Sequence, residues 1–474
     1  MKDFNNHTVE KIGGTSMSRL PDLLDPLFRA ADPDYNRVFV VSAFGGITDL
    51  LLEHKKTGEP GVYAHFADQT EDHGWHAALS RVEEAMRKAQ DAVLTHPADR
   101  TEARDFLRER LEGARSCLID LQRLCSYGHF RLSEHMGLTR ELLSGLGEAH
   151  SAFVTTLRLR RTGVNARFVD LSGWRDDREL TLEQRIRDGL SDIDLTREMP
   201  IVTGYAQCTE GLMAEFDRGY SEVTFSQIAA LSKAREAIIH KEFHLSSADP
   251  KLVGTANVRK LGHTNYDVAD QLANMGMEAI HPTAAKALRQ SQVPLRITNA
   301  FEPDDPGTLI DEAEAQQGVA EMVTGLKVHA LELFEQDMVG VKGYDATTLD
   351  LLKRFDIRIV SKTSNANTIT HYVDAPLGRV RQVVAALNKV YPSAEVHIRS
   401  AAIVSVIGRD LRGLHVLERG LACLREAGID VVSAHQTTRT VDAQFVIARD
   451  DFDASVKALH DRFMGRATRL KSAA

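Results

Sequence analysis

The first forty residues alternate between apolar and polar positions in the order strand, loop, helix, strand. Val38-Phe39-Val40-Val41 is an unbroken apolar run bounded by turn residues on both sides. That is the pattern of a strand buried on both faces of a parallel sheet. From about residue 75 to 160 the chain is rich in Ala, Leu, Arg and Glu and reads as helix. Apolar runs return at Ile201-Val202-Thr203 and Leu295-Arg296-Ile297, with helical patterns between them. Strands alternating with helices predict a mostly parallel α/β sheet for roughly residues 1–305.

The polar stretch DEAEAQQG, Asp311 to Gly318, marks a domain junction. Beyond it the pattern repeats. In the first copy a helix from Asp345 to Phe355 precedes Ile357-Arg358-Ile359-Val360-Ser361, a polar loop and Thr368-Ile369-Thr370. In the second, a helix from about Leu414 to Ala427, with Gly428 as its C-cap, precedes Ile429-Asp430-Val431-Val432-Ser433, a loop and Thr440-Val441-Asp442. Each copy closes with another helix, Leu377 to Val390 and Phe452 to Phe463. The repeated order βαββα is that of small α+β ferredoxin-like modules. Their open sheet edges invite pairing with a sister module.

Composition changes little in this picture. The chain has 474 residues, 43% hydrophobic and 26% charged, enough for two or three domains with real cores. A formal charge of −9 makes nucleic acid or an anionic membrane a poor partner. No apolar run is long enough to span a bilayer, and the start MKDFNNHTVEKIGG has no secretory core. Cys117, Cys125, Cys208 and Cys423 are scattered, which points to neither a zinc site nor a disulfide framework, and a cytoplasmic setting is expected.

Candidate chemistry begins at Lys11-Ile12-Gly13-Gly14-Thr15-Ser16. Two glycines let backbone N–H groups approach an anion, Thr15 and Ser16 can cap the following helix, and Lys11 adds a compact positive charge. The same six residues also read as a tight βα turn with a surface lysine. The next strand ends Val41-Ser42-Ala43-Phe44-Gly45-Gly46-Ile47-Thr48-Asp49, small and polar residues where α/β enzymes place ligand groups. Gly145-Leu146-Gly147 starts a dinucleotide-like pattern, but His150 stands where the third glycine belongs.

Together these segments resemble the amino-acid kinase family, and within it the aspartate kinases, which open with K-F/Y-G-G-T/S-S and V-V-S-A-x-x-G-x-T-D/N. The likeness continues in order through Gly147-Glu148, Asp217-Arg218-Gly219-Tyr220-Ser221-Glu222, Ser247-Ala248-Asp249-Pro250-Lys251, Tyr266-Asp267-Val268-Ala269 to Gly276, Ile280-His281-Pro282, and Val293-Pro294-Leu295 to Gly307-Thr308. The tail repeat resembles the paired ACT modules of those enzymes. The resemblance implies an amino-acid kinase catalytic domain over 1–310, with a helical insertion near 52–135. ACT modules over 325–398 and 399–474 would follow.

It also implies transfer of the γ-phosphoryl group of ATP to the side-chain carboxylate of L-aspartate. Lys11, Arg218 and Glu222 form the implied catalytic set. Ser42, Thr48, Glu148 and Ser221 would bind aspartate, Glu148 taking its ammonium group and Arg218 its α-carboxylate. Lys11, Gly13, Gly14, Thr15, Ser16, Lys241, Asp249 and Lys251 would bind the nucleotide, with Mg²⁺ held mainly through ATP and no protein ligand assigned. Asp345, Ser361 and Asn365 are the implied effector contacts, and pairing through the ACT modules implies a homodimer or higher oligomer.

The sequence departs from the family in places. Glu222 replaces an Asp, Tyr220 a glycine, and Glu278 a frequent lysine. Ile239-His240-Lys241-Glu242-Phe243-His244 replaces W-T-D-V-D-G, which removes the usual T-D nucleotide contacts, and Lys241 is expected to compensate for the positive charge lost at Glu278. This segment and the long helical stretch after Leu51 resemble the specialised aspartate kinases that serve ectoine synthesis. His240, His244, His263 and His281 are read as structural rather than as a metal set. His435-Gln436-Thr437-Thr438-Arg439 departs from the effector pattern Q-x-S-S-E-x-x-I, which predicts weak or absent inhibition by lysine or threonine. Two other readings stay open: a catalytically inactive ACT-type amino-acid sensor, or a kinase of acetylglutamate, glutamate or a nucleotide.

Overall fold

Val38 to Val41 are all buried, as an unbroken apolar run in a covered sheet requires. In the computed structural model the described residues are 6–28, 35–55, 57–68, 74–216, 219–277, 279–313 and 318–465. In chain order the strands are β1 (Thr8–Ile12), β2 (Arg37–Val41), β3 (Ala166–Val169), β4 (Met199–Thr203), β5 (Glu236–Lys241), β6 (His263–Asn265), β7 (Leu295–Asn299) and β8 (Thr308–Asp311). Then follow β9 (Val319–Phe334), β10 (Arg358–Ser364), β11 (Thr368–Asp374), β12 (Glu395–Arg409), β13 (Val431–Gln436) and β14 (Asp442–Ala448). The chain forms two units, 1–244 with 280–312 and 245–279 with 313–474.

In the first unit the strands lie in the order β3-β4-β2-β1-β5-β7-β8. Every pairing from β3 across to β7 is parallel, and β8 adds to β7 antiparallel. The mostly parallel sheet is therefore present. The chain places β2 on one side of β1 and β5 on the other. That is a switch point, where the carboxyl ends of parallel strands leave a crevice for ligands. The helices Gly74–Val93, Pro97–Cys125 and Leu132–Arg161 fill the stretch read as helical. Phe106 stacks on Phe153 at 4.1 Å between centroids, and Phe168 of β3 meets both rings edge-on, which fastens two of these helices to the sheet.

One charged side chain lies deep in the centre of this sheet. Glu10 of β1 accepts from Arg37 Nε at 2.6 Å and Nη2 at 2.7 Å, and its Oε2 is 2.7 Å from His240 Nε2. Burial alone would push this carboxyl up, but the Arg37 guanidinium and His240 hold it well below the usual carboxylate range. A buried charge persists only when paired in this way.

In the second unit β9 and β12 pair antiparallel along their full length, Val319 opposite Arg409 and Phe334 opposite Glu395. β11 adds to β9, β14 to β12, and the sheet reads β10-β11-β9-β12-β14-β13. That order is a palindrome about the β9–β12 seam. The expected helices appear as Tyr344–Arg354, Leu377–Val390, Val416–Glu426 and Phe452–Met464. Gly428 is left-handed at φ 73°, and Ile429 N–H returns to the Leu424 carbonyl at 2.9 Å, closing the helix as expected. Both copies draw on the same two long strands, a sharing that the repeat alone did not reveal.

One core, with Leu331, Leu352, Val373, Val380 and Leu387, lies under the first copy. Another, with Val404, Leu424, Phe445, Ile447 and Leu459, lies under the second, and Ala248 and Val253 from segment 245–279 join it. The polar junction at 311–318 falls partly on residues 314–317, outside the described residues. Among the described residues no helix is long and apolar enough to cross a membrane. Phe445 is fully buried, so Phe445→Ala should cost the second unit about 3–5 kcal/mol. Urea unfolding should show this as a lower midpoint.

Candidate active site

β1 ends at Ile12 and the chain turns through Gly13 and Gly14 into the helical turn Gly14–Met17. A Cβ on residue 14 would lie 2.8 Å from the Ala43 carbonyl oxygen. The two loops can therefore touch only if that residue has no side chain. Gly13 occupies the N-cap, and no side chain bonds there. Thr15 and Ser16 thus do not cap this turn, contrary to the sequence expectation, because both already lie inside it. Thr15 is exposed, whereas Ser16 is buried and donates to Glu242 Oε1 at 2.8 Å.

Lys11, almost fully buried, places Nζ 3.2 Å from Glu222 Oε1. Glu222 lies in the first turn of the helix Tyr220–Ser232, and its Oε2 accepts the His281 N–H at 2.5 Å. Burial opposes the charge on Glu222, but Lys11, Lys241 and the His281 N–H outweigh it and hold the carboxyl below its ordinary range. Lys241, the last residue of β5, thus acts on the same carboxylate.

Glu148, midway along the helix Leu132–Arg161, is 1% exposed. Ser221 donates to its Oε1 at 2.8 Å, while Oε2 is buried without a well-formed hydrogen bond. Gly204, just after β4, makes room: a Cβ there would lie 3.1 Å from Glu148 Oε2 and 2.9 Å from the Val41 carbonyl oxygen. Burial pushes the Glu148 carboxyl up to about 8, against the Ser221 hydroxyl, the Lys11 ammonium and the Tyr205 and Ala43 backbone groups. Ser42 lies on the loop after β2 and Thr48 in the helical turn Ile47–Leu51, and the Ser42 carbonyl accepts the Ser151 hydroxyl at 2.8 Å. The hydroxyls of Ser42 and Thr48 make no hydrogen bond among the described residues.

Lys11, Glu148, Ser221, Glu222 and Lys241 are thus linked, with the glycine turn beside them. Asp249 and Lys251 belong to the second unit, on an exposed turn where Asp249 caps Pro250–Val253 by accepting Lys251 N–H at 2.8 Å. Arg218 and Glu278 lie outside the described residues. Asp345 Oδ2 is 2.6 Å from Lys362 Nζ, Ser361 Oγ is 3.4 Å from His435 Nε2, and Asn365 Oδ1 accepts the N–H groups of Asn367 and Thr368.

The histidines occupy separate places. His240 joins Glu10 and Thr298, His263 meets Arg409, and His244 bonds Glu302 at 2.8 Å. His281 caps Pro282–Gln290. Its role on Glu222 escaped the sequence reading, although His before Pro was a legible helix start. Glu10 was equally legible as an odd charge inside a strand, but its partners lie on β2 and β5.

Residues 6–299 match the family model described as "Amino acid kinase family". Over 459 residues the chain is 50% identical to "Aspartate kinase Ask_Ect" of Stutzerimonas stutzeri (strain A1501), covering 96% of each. The chain belongs to the aspartate kinases of the amino-acid kinase family. A more distant aspartate kinase, "Aspartokinase 3, chloroplastic" of Arabidopsis thaliana, is 24% identical over 492 residues, covering 96% of this chain and 81% of that one. The crystal structure of E. coli aspartokinase III in complex with lysine and aspartate superposes with a TM-score of 0.73 at 17% identity, over 96% of this chain and 99% of that one. The Clostridium acetobutylicum aspartate kinase gives 0.68 at 17% identity, over 97% and 100%. The fold is thus that of the aspartate kinases: an amino-acid kinase sheet followed by ACT modules.

In this aspartate kinase, folding raises the Glu148 carboxyl from 4.5 to about 8. The folded chain then holds a proton that the unfolded chain has lost, so this residue makes stability fall as pH rises from 4.5 to about 8. Glu148→Gln should flatten that part of the profile. Urea midpoints measured between those two values check it.

Proposed function

We propose that this aspartate kinase transfers the γ-phosphoryl group of ATP to the side-chain carboxylate of L-aspartate, giving 4-phospho-L-aspartate. The observation that carries this reading is Glu148. A buried carboxylate whose Oε2 lacks a well-formed hydrogen bond lies beside the Lys11 cluster, so an acceptor for a cation adjoins a turn suited to an anion.

The acceptor carboxylate has a pKa near ~4 and is ionised at neutral pH, so no general base is needed. The obstacle is repulsion between this anion and the polyphosphate, and catalysis rests on positioning and charge neutralisation. Lys11 neutralises the phosphoryl group in flight, and Glu222 fixes the Lys11 side chain. A carboxylate oxygen bonds to the γ-phosphorus as the bond to ADP breaks, and ADP leaves with the electron pair. Glu148 takes the α-ammonium group, Arg218 the α-carboxylate, and Ser42, Thr48 and Ser221 hydrogen-bond the substrate. Gly13, Gly14, Thr15, Ser16 and Lys241 line the phosphates. Glu222 is already shared by Lys11 and His281, which suits Mg²⁺ that stays on phosphate and water.

We further place the enzyme in the cytoplasm, as a homodimer or larger assembly paired through its ACT sheet edges. Its product feeds the aspartate-family pathway, in the branch serving ectoine synthesis, as the likeness to Ask_Ect supports.

Trapping the acyl phosphate with hydroxylamine should give ATP-dependent product with L-aspartate and none with acetylglutamate or glutamate. Turnover with no substrate would favour the amino-acid sensor instead. Ammonium binding needs ionised Glu148, so a proton must leave below about pH 8. The kcat/KM for aspartate should rise roughly tenfold per pH unit towards that value. Glu148→Gln should lose that slope and raise the KM for aspartate.

Asp345, the implied effector contact, is already paired with Lys362, which supports weak effector sensitivity. Lysine and threonine should not inhibit at low-micromolar concentration. An inhibition curve with a low-micromolar constant for either would overturn this.

A further inference from the structure

The segment from Phe44 to Leu50, which carries Thr48, also forms one wall of a cavity of about 600 Å³. Among the described residues, none of the proposed aspartate or phosphate residues lines that cavity. Its opposite wall is the helix Gly74–Val93, which presents Arg81, Ala85, Lys88 and Ala92. Their spacing puts them on one helix face. Protein interiors are normally packed to the density of organic crystals. Here alanines stand where larger side chains would close the gap, and Phe44, Ile47 and Pro60 keep the rest of the lining apolar. The volume is in the range of small-molecule sites, about 300–1,000 Å³.

Charge narrows the occupant. Arg81 and Lys88 are exposed and make no hydrogen bond or ion pair among the described residues. Across the cavity Asp49 is committed, lying 3.8 Å from His54 Nε2 and accepting Lys55 N–H at 3.3 Å. Among the described residues Glu59 is the remaining carboxylate of the lining. Two uncommitted cations against one such carboxylate favour a monoanion.

We propose that this cavity binds a small monoanion with an apolar body, and that its occupancy tunes aspartate binding through the Phe44–Leu50 wall. The apolar part lies between Ile47 and the alanine face, and the acidic group meets Arg81 and Lys88. An occupant that binds more tightly when this wall holds Thr48 in its aspartate-binding position strengthens aspartate binding by the same factor. The coupling rests on the proposed role of Thr48; the binding does not.

The test uses the full-length enzyme and 8-anilinonaphthalene-1-sulfonate, an apolar body with one sulfonate. With Mg²⁺, a non-hydrolysable ATP analogue and aspartate saturating, the dye should bind at one site per chain. Ala89→Phe, which fills the cavity, should abolish that binding. The double variant Arg81→Ala/Lys88→Ala, confined to exposed residues, should weaken it roughly fivefold, the loss of two charge-assisted contacts. Dye should lower the KM for aspartate about threefold in the parent and leave Ala89→Phe unchanged. Equal dye affinity in the parent and the double variant overturns the site. Dye binding that both variants weaken, with an unmoved KM, overturns the coupling. Absence of all turnover in the parent would instead overturn the proposed activity, while the dye titration would still decide the cavity.

Discussion

The ion pair between Lys11 and Glu222, 3.2 Å apart, holds the catalytic unit's working end together. Lys11 ends the central strand, and Glu222 opens a helix that follows β4. Through Oε2 the same carboxylate takes the His281 N–H, which fixes the start of a third element. One buried charge pair therefore sets the spacing between the glycine turn and two helices. Breaking it would leave a buried carboxylate or a buried ammonium without its counter-charge, a far larger penalty than a surface pair could exact.

Around this pair, two carboxyls in one small region are driven in opposite directions. Glu222 faces Lys11 and Lys241 and stays ionised. Glu148 is more deeply buried than Glu222, has one hydroxyl donor of good geometry, and is pushed up to about 8. The difference is their environment, not their chemistry: Glu222 has Lys11 in direct contact and the charge of Lys241 acting on it, whereas Glu148 has a serine hydroxyl. A charged carboxylate at that depth is costly unless a cation compensates it. Glu10, on the neighbouring face of the sheet, shows the finished version of the same arrangement, with Arg37 and His240 already in place.

The second unit is organised by a different constraint. Two long antiparallel strands run through both copies of the repeat, and each copy hangs half of its sheet on each strand. Neither copy owns a complete sheet, so the two share one hydrogen-bonded ladder. Ser361 and His435, 3.4 Å apart, connect the corresponding edges across that arrangement.

By itself the sequence determined the elements that depend on local pattern. The buried run Val38 to Val41, the helical stretch from 75 to 160, the repeat after residue 340 and the stop at Gly428 all follow from neighbours along the chain. The ordered motifs likewise identified which residues belong together, from Lys11 to Glu222. The tertiary structure decided what those residues do to one another. The pairing of Glu222 with His281, of Glu10 with Arg37 and His240, and of Glu148 with Ser221 joins residues far apart in sequence. So does the β9–β12 seam, which joins strands on either side of the first copy. Thr15 and Ser16 show the boundary clearly. Their composition suited a helix cap, but the backbone had already placed Gly13 there, and Ser16 turned instead to Glu242. Periodicity fixes which face of an element is apolar. Which charge meets which depends on distances that only the packed sheet sets.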